Sequence, residues 1–159
     1  MNTVYTDKIR DITLDTFEVT CCMFPLEDWE VQEGEYGDSE AGIKSIVRFD
    51  GVTNGALVIT PSAVLLDAIA ANMLGVDAAE SKQKEDALCE IANIICGNTV
   101  PLFAENHKIC YIQPPKIIRS DECFSREYAN MQHESFKMIL NEGTVVVDIY
   151  YRKTKEAKR

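Results

Sequence analysis

The chain has 159 residues, 46% hydrophobic and 26% charged, with a formal net charge of −10, the size and apolar content of one globular domain over residues 1–159. The acidic balance excludes nucleic acid as the main partner, since phosphate binding needs a basic face. No apolar run approaches the roughly 20 residues that cross a bilayer, and the first residues lack the basic-then-apolar order of a secretion signal, so a cytoplasmic protein that works away from membranes is expected.

Ile9, Ile12 and Phe17 recur at loosely helical spacing and predict a helix over residues 6–22. Residues 24–31 read as a strand, which Pro25 restricts to a sheet edge or a strand start. Residues 32–42, acidic and glycine-containing, read as an exposed loop. Residues 44–60 predict a β-hairpin: Ile46-Val47-Arg48-Phe49 and Ala56-Leu57-Val58-Ile59 are β-rich runs around the turn residues 50–55. A helix follows, with Thr60 as its cap and Pro61 at its first position. Leu66, Ile69, Ala70 and Met73 form its apolar face, and Gly75 stops it.

The central helix begins near Ser81 and continues through Ile94, Ile95 and Cys96 to Gly97. Pro101 removes the backbone donor that would reach the Gly97 carbonyl, and its ring crowds that carbonyl. A break between 97 and 101 is therefore predicted, with a short helical piece over 101–106. Residues 109–119 read as extended, interrupted by Pro114-Pro115. Residues 136–140 and 144–151, joined by Asn141-Glu142-Gly143, form a second hairpin. The sum predicts an α+β domain, a mostly antiparallel sheet covered by two or three helices. The basic residues 152–159 read as a solvated terminus.

Six cysteines without a signal peptide read as free thiols. Cys89 and Cys96 flank the central helix and pack as small apolar residues. There is no CxxC pair, and His107 and His133 are isolated, so no metal site is expected.

The informative stretch is Asp86-Ala87-Leu88-Cys89-Glu90-Ile91-Ala92-Asn93. At roughly 100° per residue, Asp86, Glu90, Asn93 and Gly97 fall in one narrow arc, with Leu88, Ile91, Ala92 and Ile95 opposite. A carboxamide is no general base near neutral pH, but it offers both a donor and an acceptor. It can hold a water at a defined position. That suits an electrophile already activated, such as an acyl phosphate on Mg²⁺, where the remaining obstacle is positioning for in-line attack. A hundredfold acceleration needs only about 2.7 kcal/mol. Glu90 can anchor a partner's lysine or act as a base. Asp86 can add to docking or favour the helix start. Gly97 can relieve the proline clash or admit a partner. The bland reading is the wet face of any amphipathic helix. A metal site from Asp86, Glu90 and Asn93 is disfavoured, because three oxygens from one helix leave most of a Mg²⁺ or Ca²⁺ shell to water.

Asp86-x-x-x-Glu90-x-x-Asn93, followed by Gly97-Asn98, resembles the signature of the CheC/CheX/FliY phosphatases of bacterial and archaeal chemotaxis. The family pattern is an acidic residue or serine, three others, glutamate, two others, then asparagine. The run 55–61, followed by a helix ending in Met73-Leu74-Gly75, is similar to the segment that precedes the signature there. The likeness covers residues 42–98 and, more loosely, 114–151. One copy of the signature at this length is similar to the single-motif CheX members, which pair as homodimers. The resemblance implies a CheC-like fold and removal of phosphate from the aspartate of a response-regulator receiver domain, CheY in the founding system. Asn93 would orient the hydrolytic water, and Glu90 would pair with the receiver's lysine. Asp86 and Gly97 would contact the partner. The chain would need no cofactor of its own, the Mg²⁺ belonging to the receiver. A non-catalytic module of the same fold, binding a receiver or a flagellar switch component, is the alternative.

Overall fold

The computed structural model describes residues 5–27, 29–30, 40–119 and 124–155. Helix α1 (Thr6–Cys21) buries Ile9, Thr13, Thr16, Phe17 and Cys21, spaced as one helical face. It ends at Cys22, a left-handed residue with φ 54° whose N–H bonds back to Glu18. The predicted strand over 24–31 is not formed among the described residues. Pro25 makes only an isolated bridge to Leu140, and the Leu26 N–H donates to the Ile139 carbonyl at 2.9 Å. The Glu30 N–H turns back to the Glu27 carbonyl at 2.8 Å, and residues 28, 31 and most of the predicted loop 32–42 lie outside the described residues.

Strands β1 (Lys44–Gly51) and β2 (Thr53–Pro61) form the first hairpin, with Phe49 opposite Gly55. The turn is tighter than the six-residue stretch read from sequence. Asn54 Oδ1 accepts the Gly51 N–H at 3.1 Å and closes it. Helix α2 (Ala63–Leu74) is capped by Ser62, not Thr60. Thr60 and Pro61 belong to β2, because the pairing with the last strand runs on to Pro61↔Val145. Proline needs no ladder donor at a strand end. Ser62 Oγ then accepts the N–H groups of Leu65 at 3.3 Å and Thr144 at 3.2 Å. Gly75, at φ 66°, ends α2 as predicted.

Helix α3 (Ser81–Thr99) passes directly into a 3₁₀ turn over Val100–Phe103, with Pro101 in its first positions. The predicted break is thus a tightening of the helix after Thr99, and the piece expected over 101–106 is this shorter turn. The extended stretch splits at Pro114-Pro115 into β3 (Cys110–Ile112) and β4 (Lys116–Ile118), both antiparallel to β1. After a one-turn α4 (Phe124–Glu127), β5 (Gln132–Leu140) and β6 (Gly143–Lys153) form the second hairpin.

The sheet order is β3-β1-β2-β6-β5, with β4 also on β1, and each pairing is antiparallel. Strand side chains alternate between faces. Val47, Phe49, Leu57, Ile59, Val145, Val147 and Ile149 point to one side and pack with Phe17, Leu65, Ile69, Leu88, Ile91 and Ile95 of the three long helices. Ile46, Ala56 and Val58 point to the other, where Tyr128 covers a smaller cluster. The α+β architecture of an antiparallel sheet under helices is therefore the one observed. Among the described residues no helix is long and apolar enough to cross a membrane. The five described cysteines are unpaired thiols, with Cys96 buried and Cys89 half-buried; Cys123 lies outside the described residues.

Candidate functional site

The site is built on α3. The helix buries Ala87, Leu88, Ile91, Ala92, Ile95 and Cys96 against the sheet. That fixes its rotation, and the opposite arc must face outward. Asp86, Glu90 and Gly97 are exposed and Asn93 is half-buried, so the four predicted residues do share one accessible face. Both ends of the helix are tied. Glu80 and Gln83 form a reciprocal capping box at the start, with the Glu80 N–H 2.9 Å from Gln83 Oε1. The 3₁₀ turn holds the other end. Residues three apart on a helix carry their Cβ atoms about 5–6 Å apart, so Glu90 and Asn93 meet the same region of any docked object.

The charges along α3 are not equivalent. Lys82 Nζ lies 2.7 Å from Asp86 Oδ1, and Lys84 Nζ lies 2.6 Å from Asp67 Oδ1. Arg119 pairs with Glu85. The Asp86 carboxylate, by hydrogen bond and charge, raises the Lys82 ammonium above its ordinary range. Among the described residues, no hydrogen bond or ion pair engages either Glu90 or the Asn93 carboxamide. A carboxylate and an amide with open valences therefore stand one turn apart on a rigid, accessible ridge.

Two depressions flank this ridge. Between α1 and α3, Ile12, Asp15, Val19, Ile94 and Asn98 line a groove of about 440 Å³. On the other side, Gly97, Val100, Pro101, Ala104, Ile109 and Ile112 line an apolar groove of about 340 Å³. Sequence reasoning missed both walls, because α1 and β3 reach α3 only through the tertiary fold. It also missed the partner of Asp86, although Lys82 stands at the i,i+4 spacing that forms such pairs. Among the described residues no three His, Cys, Asp or Glu side chains are grouped to hold a metal.

The described face can do two things chemically. It can accept a cation at Glu90, and it can orient a polar small molecule such as water at Asn93. Comparison with known proteins bears on this reading. No curated protein matches the chain. Among solved structures, the CheX chemotaxis protein of Desulfovibrio desulfuricans superposes with a TM-score of 0.71 at 16% identity, over 93% of this chain and 99% of that one. CheX of Vibrio vulnificus gives 0.67 at 15% identity, over 93% and 96%. The CheX chain of a CheX–CheY–BeF₃–Mg²⁺ complex from Borrelia burgdorferi gives 0.63 at 18% identity, over 94% and 98%. At these identities the structures share the fold. The model of the family described as chemotaxis phosphatase CheX matches residues 43–138, which hold the first hairpin, α2, the whole of α3 and most of β5. The chain belongs to the CheX family of chemotaxis phosphatases.

Proposed function

We propose that this protein is a cytoplasmic protein-aspartyl-phosphate phosphatase that dephosphorylates a CheY-like response-regulator receiver domain. The observation that carries the reading is the pair of unengaged groups on α3: Lys82, Lys84, Glu85 and Asp86 each have an ion-pair partner, while among the described residues Glu90 and Asn93 have none. A solved CheX–CheY complex among the structures of this fold supports the choice of partner.

In this mechanism Glu90 pairs with the lysine beside the receiver's phosphoaspartate and fixes the docking register. Asn93 enters the receiver site. Its carbonyl accepts from the hydrolytic water and its NH₂ donates, which points a lone pair at phosphorus. The new P–O bond forms in line as the acyl P–O bond breaks, giving inorganic phosphate and the free aspartate. The water's proton leaves with the phosphate or to solvent. The Mg²⁺ would be the receiver's and would supply charge neutralisation at the phosphoryl group, since no three His, Cys, Asp or Glu side chains are grouped to hold a metal among the described residues of this chain. Asp86, held by Lys82, lies at the rim of the contact, and Gly97 at its far end. The reaction needs positioning more than acid–base chemistry, which an amide can supply.

We also propose a homodimer, the assembly that family membership implies.

The test is to charge a receiver with a small acyl phosphate and follow its decay. Wild-type protein shortens the decay. Asn93→Ala returns it to within a fewfold of background, a loss of about a hundredfold for one positioning donor, with receiver binding retained. Glu90→Ala weakens both binding and turnover. Equal decay with wild type and Asn93→Ala removes Asn93 from the mechanism. Binding without any acceleration by wild type makes the chain a docking module.

A further inference from the structure

Gly97 stands inside α3, where glycine is the least favourable residue after proline, and no close packing among the described residues calls for it. The helix runs on through Asn98 and Thr99, so Gly97 is no cap, and its φ is not left-handed. A Cβ built there meets nothing within 4 Å beyond the helix's own neighbouring backbone, the Pro101 side chain included. A side chain at this position would therefore not collide with the ring of Pro101.

What remains is the outside. Gly97 is exposed, one turn beyond Asn93 on the same arc, and it opens onto the apolar groove that Val100, Pro101, Ile109 and Ile112 line. Ile109 is 55% and Ile112 37% exposed. An asparagine side chain is short. For its amide to reach a phosphoryl group held inside another protein, the helix backbone beside it must come to van der Waals contact with that protein. We infer that Gly97 is the point of closest approach of the receiver domain, a notch in the α3 ridge that sets how deeply Asn93 enters and which receivers fit. The inference rests on the phosphatase reading for its partner, and on the missing Cβ for its position.

The experiment uses full-length wild type, Gly97→Ala and Gly97→Leu. It measures the thermal midpoint, sedimentation, and the affinity for receivers from the same genome charged with beryllofluoride and Mg²⁺. Gly97→Ala raises the midpoint by about 2–4 °C, as removal of a helix-interior glycine does in a chain this size. The same substitution weakens receiver affinity about tenfold, and Gly97→Leu weakens it about a hundredfold or more. A fall in affinity that grows with side-chain size from Ala to Leu, against a raised midpoint for Ala, marks a steric notch rather than a stiffened helix. Wild-type affinity in Gly97→Leu overturns the inference, as does a lowered midpoint in Gly97→Ala. A shift in sedimentation with receiver affinity intact assigns the notch to a second copy and also overturns it. A wild type that binds the charged receiver but leaves the lifetime of its acyl phosphate unchanged defeats the phosphatase reading alone. A wild type that binds no receiver defeats both.

Discussion

Glu90 and Asn93 are legible in the sequence because a helix turns by a fixed angle, so spacing alone places them on one side. Their idleness within the chain is not legible. It depends on which neighbours Lys82, Lys84 and Arg119 choose, and two of those choices, Asp67 and Glu85, are settled by how α2 and β4 pack beside α3. Cysteine reactivity is decided at the same scale. Cys96 is fully buried in the core under α3, and burial pushes its thiol up to about 12. Cys22, just past the end of α1, is exposed. The thiolate is the reacting form. Alkylation at pH 8 followed by peptide mass spectrometry is therefore expected to modify Cys22 in the native protein and Cys96 only after denaturation.

Among the elements, the hairpins were readable because alternation and turn residues are local, and α3 because its apolar spacing runs for five turns. The start of α2 was not. Thr60 has the right chemistry for a cap, but β6, more than 80 residues away, claims it for the sheet through Thr60↔Val146. The same strand explains Gly55, which reads from sequence only as a turn residue. A Cβ there would lie 1.8 Å from the Tyr150 carbonyl oxygen and 2.8 Å from the Phe49 ring. Backbone cannot yield as a flexible side chain can, so Gly55→Ala must push β2 and β6 apart in the middle of the sheet. A loss of about 3 kcal/mol or more is expected, read as a lowered midpoint in urea with full reversibility. Gly97→Ala moves stability the other way, and the contrast separates a glycine the fold requires from one it does not.

At the scale of the molecule, buried thiols and phenols and two paired ammonium groups lean in one direction. Burial raises the thiols of Cys21 and Cys96 and the phenols of Tyr128 and Tyr151, and the carboxylates of Asp86 and Glu105 raise Lys82 and Lys153. Each of these groups holds its proton more tightly folded than unfolded. Their contribution is complete below the unfolded values, about 8.5 for Cys and 10 for Tyr and Lys, and is lost as pH climbs toward the folded ones. The thermal midpoint is expected to fall steadily above about pH 9. Tyr151 is the clearest single source. Its hydroxyl donates to Glu134 Oε2 at 2.5 Å, while Glu134 Oε1 accepts from the Thr6 N–H at 3.1 Å, so one carboxylate ties the start of α1 to the sheet. Tyr151→Phe is expected to lower the midpoint at pH 8 and to flatten its alkaline decline, measured by calorimetry between pH 8 and 11.

The open valences of Glu90 and Asn93 have a consequence for inheritance. Side chains that serve no internal bond can be exchanged without taxing the scaffold, so loss of turnover and loss of folding are separate events for this architecture. On the proposed phosphatase reading, one altered codon at position 93 would leave a well-formed protein that still grips its partner, turning a signal terminator into a competitor for the same surface.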